Sequence, residues 1–305
     1  MSFEEFLKLY YEDMAPRIRE HTMRTKKYII DLKILPYFGK KAMNEISTAD
    51  IRKWQNKLIA GGYSQTYLRT INNQLTAVFN YAVKYYDLKN NPCKKAGSMG
   101  KNHADEMSFW TQDEFSKFID GVMDKQKSYV AFMTLFWTVM RLGEMLALTP
   151  ADIDFENKTI SISKSYQRMD KRDVITPPKT PKGNRVITVP DFLLADIKDY
   201  MNSIYCLKND DRLFGVTKYF MEHEMQRGIK NSGVKRIRIH DIRHSHCALL
   251  FEMGIAPLEV ADRLGHERVE TTLNIYAHIY PNKQKQLSDK LEQRYMEGLQ
   301  DGTEG

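Results

Sequence analysis

Four short motifs in the second half of the chain gather side chains that bind anions, move protons or act as nucleophiles. Guanidinium groups bind phosphate and carboxylate oxygens through planar pairs of hydrogen bonds. Imidazole and ammonium groups transfer protons, and a hydroxyl can act as a nucleophile. Singly, each motif has an ordinary structural explanation, such as a helix cap or a solvated turn, but the combination in this order is far less expected by chance. The motifs are Arg141-Leu-Gly-Glu144, Lys179-Thr-Pro-Lys-Gly-Asn-Arg185, His240-Asp-Ile-Arg243-His244, and Leu264-Gly-His266 followed by Tyr276.

Local patterns indicate the elements that carry these motifs. Thr111 and Glu114 have the spacing of a capping box, and an apolar helix is predicted from there to about Leu148. Three short alternating stretches then predict strands, and Lys182-Gly183-Asn184 predicts a hairpin between the last two in a small antiparallel sheet. From residue 191 onward the pattern is helical. The predicted strands span residues 159–163, 173–176 and 185–189.

The first part of the chain is predicted to be all-helical. Phe3, Phe6, Leu7 and Tyr10 fall on one face of a helix, and Ser64 opens a longer one. Between residues 87 and 108 the periodicity fails, which is typical of a linker. We therefore expect a mainly α protein with a small antiparallel β-sheet. Its predicted parts are a helical domain over 1–86, a linker over 87–108, a second domain over 109–282 and a C-terminal helical tail over 283–305.

The positive charge is concentrated in the first third of the chain. The whole chain has a formal net charge of +7, and residues 1–100 hold 17 Lys+Arg against 9 Asp+Glu. Such an imbalance favours a module that binds a polyanion, although basic surfaces also simply aid solubility. The basic side chains that we expect to contact the phosphates of a polyanion such as DNA are Arg17, Arg19, Arg24, Lys26, Lys27, Arg69, Lys94 and Lys95.

Several function classes are excluded. The longest apolar stretch is the twelve residues from Tyr129 to Met140, which is too short to span a bilayer. The three cysteines lie far apart and form no CxxC pair, so neither a disulfide framework nor a zinc ribbon is indicated. A Walker loop, a GxGxxG motif and an HExxH motif are absent from the sequence. We expect a cytoplasmic protein, nucleoid-associated if the polyanion that it binds is DNA.

The pattern R…K…HxxR…H…Y that these motifs form resembles the tyrosine recombinase (phage integrase) family over nearly the whole chain. The most specific parts are Leu264-Gly-His266 and the passage Thr-Leu-Asn-Ile-Tyr-Ala-His around Tyr276. The chain is similar in particular to integrases of Gram-positive phages and conjugative transposons. The resemblance implies a helical core-binding domain joined to a mixed α/β catalytic domain. One departure is Val139, where the family commonly has Gly.

The resemblance implies a DNA recombinase that cuts and rejoins strands through a 3′-phosphotyrosine, integrating or excising a mobile element. Tyr276 would attack the scissile phosphorus, whereas Tyr280, one helical turn further on, is the weaker candidate.

The resemblance also implies roles for the other motif residues. Arg141 and Arg243 would bind the non-bridging oxygens in place of a metal ion. His240 and His266 would add hydrogen bonds or take a proton, and Lys179, with Lys182 as the fallback, would protonate the leaving oxygen. We expect no metal and no cofactor.

The resemblance also implies partners. These are double-stranded DNA with specific recombination sites and accessory DNA-bending or excision proteins. The tail carries an apolar stripe of Leu287, Leu291, Tyr295 and Leu299, which would dock on a neighbouring protomer in a homotetramer or, alternatively, on its own catalytic domain.

Three alternatives remain open from the sequence. One is a resolvase of the same family that acts on chromosome dimers or plasmids. Another is a type IB topoisomerase, which uses the same chemistry without pairing two sites. The third is a non-enzymatic helix-turn-helix regulator, because residues 257–266 resemble that motif with Gly265 at the turn.

Overall fold

The chain divides into two compact units, residues 1–105 and 106–305. The computed structural model describes residues 1–102, 108–178, 180–270, 272–273, 288, 291–292 and 294–295. Lys179, Tyr276, Tyr280 and most of the predicted tail therefore lie outside the described residues. The mainly α fold with little antiparallel β-structure is confirmed.

The first unit is helical throughout its described residues. Ser2 and Ser47 each form a capping box with the third residue of the helix that follows, which satisfies otherwise unpaired amides. Its helices are α1 (Phe3–Met14), α2 (Glu20–Lys33), α3 (Leu35–Phe38), α4 (Thr48–Ala60), α5 (Gln65–Tyr85) and α6 (Pro92–Ala96).

The helices of the first unit enclose an apolar core that includes Phe3, Trp54 and Phe79. Trp54 is fully buried, and its indole Nε1 donates to the main-chain oxygen of Lys33 at 2.8 Å. The indole thus packs in the core without leaving an unpaired donor.

Part of the predicted linker belongs to this core. Asn91 caps α6 through the amide of Cys93, and Cys93 and Met99 are buried. The buried amide of Gln55 donates to the main-chain oxygen of Gly97 at 2.8 Å. The linker prediction was therefore wrong for this segment, because a five-residue helix is too short to show periodicity.

The second unit packs helices around two small antiparallel sheets. In its described residues, strands β1, β2 and β5 form one sheet in that order, and β3 pairs with β4 in the other. Its helices are α7 (Gln112–Asp120), α8 (Gln126–Thr138), α9 (Leu142–Ala147), α10 (Asp191–Ser203), α11 (Lys218–Ser232), α12 (Ile239–Glu252) and α13 (Pro257–Leu264). Its strands are β1 (Ile153–Asp154), β2 (Thr159–Ile162), β3 (Ser165–Met169), β4 (Arg172–Thr176) and β5 (Arg185–Thr188).

The predicted hairpin between residues 173–176 and 185–189 was wrong. β4 pairs with β3 across a two-residue turn, with Met169 opposite Arg172, and β5 pairs with β2. Asp170 and Lys171 both have positive φ, 49° and 63°, as a two-residue type I′ turn requires. Asp-Lys lacks the usual glycine, so this turn has no distinctive sequence signal.

The single long apolar helix predicted to reach about Leu148 was also wrong, because that stretch forms three helices, α7, α8 and α9. α8 ends at Thr138, its C-cap Val139 adopts the left-handed conformation with φ +54°, and α9 starts after Arg141. The break makes Arg141 the residue that caps α9. In the described residues, no helix combines the length and apolarity needed to cross a membrane.

Candidate active site

Three of the four predicted motifs meet around Arg243 on α12. Its guanidinium is 4% exposed and donates to the main-chain oxygens of Val139 and Leu264. Val139 lies two residues before Arg141, and Leu264 lies two residues before His266. Arg243 therefore connects the break between α8 and α9 with the end of α13.

Arg243 is a buried cation held by neutral partners. Burial, together with the nearby charges of Arg141 and Arg185, lowers its pKa to about 9. The carbonyl groups neutralise none of its charge, so the site retains a strong preference for an anion.

Arg141 faces solvent at the start of α9. Its side chain is 40% exposed, and its Nη1 donates to Oε1 of Glu144 at 2.7 Å. Among the described residues, Glu144 is the only acceptor of a guanidinium hydrogen bond from Arg141. Most of its donor groups therefore remain available to a ligand.

Glu144 is almost completely buried. Burial would raise the pKa of this carboxyl, but the charges of Arg185 and Arg141 outweigh that effect and hold its pKa below the ordinary value. Glu144 is thus an anion shared by two arginines.

Sequence reasoning assigned no role to Arg185, although it ends the second motif. Its side chain is only 8% exposed, and its Nη2 lies 3.1 Å from Oε2 of Glu144. It also donates to the main-chain oxygens of Arg263 and Gly183, each at 3.2 Å. The alternating pattern of a strand does not show which of its charged side chains are buried. A buried arginine at the start of such a strand therefore leaves no distinctive signal in the sequence.

The histidines of the site are held neutral. His240 lies at the exposed start of α12, yet partial burial of its ring and the charge of Arg243 lower its pKa. The ring of His244 stands edge-on to that of His240 with centroids 5.2 Å apart. Burial and the proximity of His240 lower the pKa of His244 to about 4.

His266 follows α13 directly. Gly265, with φ +65°, ends that helix, and the Nδ1 atom of His266 lies 2.8 Å from Oγ1 of Thr272. Burial and the charges of Arg243 and Arg141 lower the pKa of His266 to about 3. The ring is therefore neutral near pH 7 and can donate or accept one hydrogen bond at its other nitrogen.

Lys182, which lies between β4 and β5, packs against this cluster. A Cβ atom added to Gly265 would come 2.7 Å from the main-chain oxygen of Lys182 and 3.1 Å from Cδ of Arg185. Lys182 and Gly183 form a short 3₁₀ turn. The second motif thus meets the fourth by close backbone packing that only a glycine at 265 permits.

The charges of the cluster suit an anion. Arg141, Arg185 and Arg243 carry three positive charges against the one carboxylate of Glu144. Within the described ranges, no group of three His, Cys, Asp or Glu side chains could hold a metal ion. The positive charges can stabilise an anionic group, and the neutral imidazoles beside them can give or take a proton during its reaction.

The predicted DNA contacts of the first unit are not equivalent. Lys26 donates to Oε1 of Gln74 at 2.7 Å, and burial lowers its pKa. Lys27 lies 5.0 Å from the ring centroid of Tyr11, and Arg17 pairs with Asp13 at 3.1 Å.

The other three arginines differ in exposure. Arg19 caps α2 and Arg24 is exposed on it, whereas Arg69 is half-buried on α5 with its Nε enclosed.

Lys94 and Lys95 are exposed on α6. They line a cleft of about 1030 Å³ together with Asn44, Thr48 and Lys89. This cleft brings several amines to one place on the first unit.

Comparisons with known proteins agree with these motifs. The sequence profile "Phage integrase, N-terminal SAM-like domain" matches residues 2–59, and that of the phage integrase family matches residues 108–283. The ICEBs1 integrase of Bacillus subtilis (strain 168) is 32% identical over 306 aligned positions, covering 96% of this chain and 83% of that protein. The transposase from transposon Tn916 of Enterococcus faecalis is 24% identical, covering 86% of this chain and 71% of that protein.

Solved structures share the fold. The Tn1549 transposon integrase in complex with transposon right end DNA superposes with a TM-score of 0.77 at 19% identity, covering 96% of this chain and 100% of that one. A lambda integrase dimer bound to a core site gives a TM-score of 0.70 at 16% identity, covering 91% and 96%. The chain belongs to the phage integrase family and is a tyrosine-type site-specific recombinase of the kind found in mobile elements.

Proposed function

We propose that the chain integrates or excises a mobile element by cutting and rejoining double-stranded DNA through a 3′-phosphotyrosine. The phenolic oxygen of Tyr276 attacks the scissile phosphorus, and the bond from phosphorus to the 5′ oxygen breaks. The phenol loses a proton and the leaving oxygen gains one. Because the ester bond to tyrosine conserves the energy of the broken bond, rejoining needs no nucleotide.

The observation that carries this proposal is the cluster of three guanidinium groups around one carboxylate. In the proposed reaction Arg141 and Arg243 bind the non-bridging oxygens, where negative charge builds in the transition state. Supporting this, Arg243 is fixed by two carbonyl groups, and Arg141 is exposed with unused donors. Fixed donors need no reorganisation when the charge develops.

Proton transfer falls to the remaining predicted residues. Lys179 is the proposed acid for the 5′ oxygen, with Lys182 as its alternative. His240 and His266 act as hydrogen-bond donors to the phosphate or as acceptors of the phenolic proton. Their lowered pKa values support the neutral state that an acceptor needs.

The proposed division of labour assigns DNA binding to the first unit, as the core-binding domain, and chemistry to the second, as the catalytic domain. The basic excess in residues 1–100 supports this, as does DNA in the solved structures of the Tn1549 and lambda integrases. The proposed phosphate contacts are Arg17, Arg19, Arg24, Lys27, Arg69, Lys94 and Lys95, with Lys26 as a weaker one.

The proposed assembly is a homotetramer on DNA in the cytoplasm, joined through the C-terminal tail and assisted by DNA-bending or excision proteins. Leu291 and Tyr295, two of the stripe residues, are 63% and 67% exposed, which supports docking on another protomer. Deletion of residues 285–305 should impair synapsis and cooperative cleavage more than binding to a single site. Unchanged recombination would contradict this role.

A nicked suicide substrate carrying a candidate attachment site tests the proposal. Cleavage releases a short 5′-hydroxyl strand that diffuses away, so the protein stays covalently attached to DNA. The adduct should form in the presence of EDTA and without ATP, and Arg141→Gln and Arg243→Gln should each slow it at least 100-fold. Adduct formation that requires a divalent metal would contradict the proposal.

A further inference from the structure

We propose that Arg185 is a positioning residue for the cleavage step, acting through Glu144 to keep the charge of Arg141 available to the scissile phosphate. This inference rests on the proposed function, in which Arg141 binds a non-bridging oxygen. It assigns a role in catalysis to a buried side chain that would not itself touch DNA.

The carboxylate of Glu144 divides its two oxygens between the two arginines. Oε1 accepts from Nη1 of Arg141 at 2.7 Å. Oε2 accepts from the main-chain nitrogen of Arg141 at 2.9 Å and from Nη2 of Arg185 at 3.1 Å. Both arginines therefore offset the same buried negative charge.

Arg185 is the better placed of the two to offset that charge permanently. Its side chain is 8% exposed, whereas that of Arg141 is 40% exposed. Its Nε and Nη1 atoms donate to the main-chain oxygens of Arg263 and Gly183. All three nitrogens of Arg185 are thus held by protein acceptors, whereas Arg141 is held only through Glu144 among the described residues.

Loss of Arg185 would leave Glu144 buried with one partner. An uncompensated buried carboxylate draws the remaining cation toward it, so Arg141 would form a full ion pair with Glu144. Glu144 would then offset the positive charge of Arg141, which would stabilise less of the negative charge that builds on the phosphate in the transition state. The expected defect lies in the chemical step and depends on the charge of the substrate.

The same side chain also fixes the relative position of three segments. Through Glu144 it reaches the start of α9, through Gly183 the connection between β4 and β5, and through Arg263 the end of α13. A purely structural role in holding these segments together would slow cleavage regardless of substrate charge. The two roles therefore predict different results.

A scissile methylphosphonate distinguishes them. Replacing one non-bridging oxygen with a methyl group removes the negative charge that Arg141 would offset. Cleavage is measured in single turnovers at saturating protein on nicked duplexes with either linkage, and DNA affinity is measured separately. The variants are Arg185→Gln, Arg185→Lys, Arg141→Gln and the double variant Arg185→Gln with Glu144→Gln.

Arg185→Gln should slow phosphate cleavage at least tenfold, with a change in DNA affinity of less than about threefold, and should slow methylphosphonate cleavage several-fold less. The double variant should regain part of the lost rate on phosphate, because it removes the charge that captures Arg141. Arg185→Lys, which keeps the charge, should lie between wild type and Arg185→Gln. If Arg185→Gln fails to fold, Arg185→Lys and the double variant carry the same comparison.

Arg227→Gln is the matched control. Arg227 also pairs with a buried glutamate, Glu224, at 2.8 Å and is 20% exposed, but it belongs to a separate network. It should change the two cleavage rates by the same factor.

The failures can be told apart. If Arg141→Gln slows both linkages equally, the phosphate role of Arg141 in the proposed function is wrong. If Arg141→Gln is selective for phosphate and Arg185→Gln is not, only the present inference is overturned.

Discussion

Arg243 donates a hydrogen bond to the main-chain oxygen of Val139, a β-branched residue in the left-handed conformation. The φ of Val139 is +54°, which costs an L-residue about 1–2 kcal/mol and a β-branched residue more. The side chain is fully buried against Cys247, Phe251 and Leu264. Strain and burial thus oppose each other at the residue that orients a proposed phosphate-binding arginine.

This conflict predicts an unusual order of stability at position 139. In most helical positions Ala is more stable than Gly by about 1 kcal/mol. Here Val139→Gly should be at least as stable as Val139→Ala, because Gly adopts positive φ freely. Unfolding in guanidinium chloride measures the free energy of unfolding of both variants. If Val139→Ala is more stable than Val139→Gly by about 1 kcal/mol, residue 139 does not adopt the left-handed conformation. Both variants keep the carbonyl and should keep DNA cleavage.

The same break between α8 and α9 marks where sequence reasoning failed. The apolar run through Val139 has no proline or glycine, so periodicity alone could not place the end of α8. The family resemblance nevertheless placed Arg141, Arg243 and His266 in one site, and the described residues bring their segments together. Arg185 could not be predicted, because its role depends on tertiary packing against Glu144 and Gly265.

Small turns and short helices were the other failures. The turn at Asp170-Lys171 lacks glycine, and α6 has only five residues, so neither leaves a periodic signal. By contrast, the capping box at Thr111 and the glycine that ends α13, Gly265, were predictable, because each depends on residues next to it in the sequence.

The acidic network around Glu224 predicts how stability depends on pH. Burial would raise the pKa of Glu224, but hydrogen bonds from Arg227, Lys125 and Ser128 lower it to about 2. Since its ordinary value is 4.5, the stabilisation is complete above pH 4.5 and is lost as the pH falls toward 2. By pH 4 about 1 kcal/mol should be gone.

Urea unfolding of wild type and Glu224→Gln tests this directly. The variant lacks the titrating group, so the difference in unfolding free energy between the two proteins should narrow by about 1 kcal/mol between pH 7 and pH 4. A difference that stays constant over this range would mean that Glu224 titrates normally in the folded protein.

The proposed neutral state of His266 can be observed by NMR. With a pKa lowered to about 3 by burial and by Arg243, its ring should show no protonation shift between pH 8 and pH 5 in the folded protein. In the urea-unfolded chain the same ring should titrate near 6.5. Titration near 6.5 in the folded protein would contradict the neutral assignment and the arginine charges behind it.

The salt dependence of DNA affinity distinguishes lysines of the first unit whose amines already bond to a protein group from those whose amines are exposed. Lys94→Gln and Lys95→Gln should each reduce the slope of log K against log salt by about 1, because both amines are exposed beside the cleft. Lys26→Gln should reduce it less, since its amine already donates to Gln74. Equal slope changes for all three, measured by fluorescence anisotropy at several salt concentrations, would refute the distinction.

Identifying the amino acid that becomes linked to DNA tests whether Tyr276 is the nucleophile. The wild-type adduct on a suicide duplex is digested with protease and nuclease, and the modified peptide is sequenced by mass spectrometry. We expect a nucleotide on Tyr276, loss of the adduct in Tyr276→Phe and retention in Tyr280→Phe. A modified Tyr280, or an adduct that survives Tyr276→Phe, would contradict it.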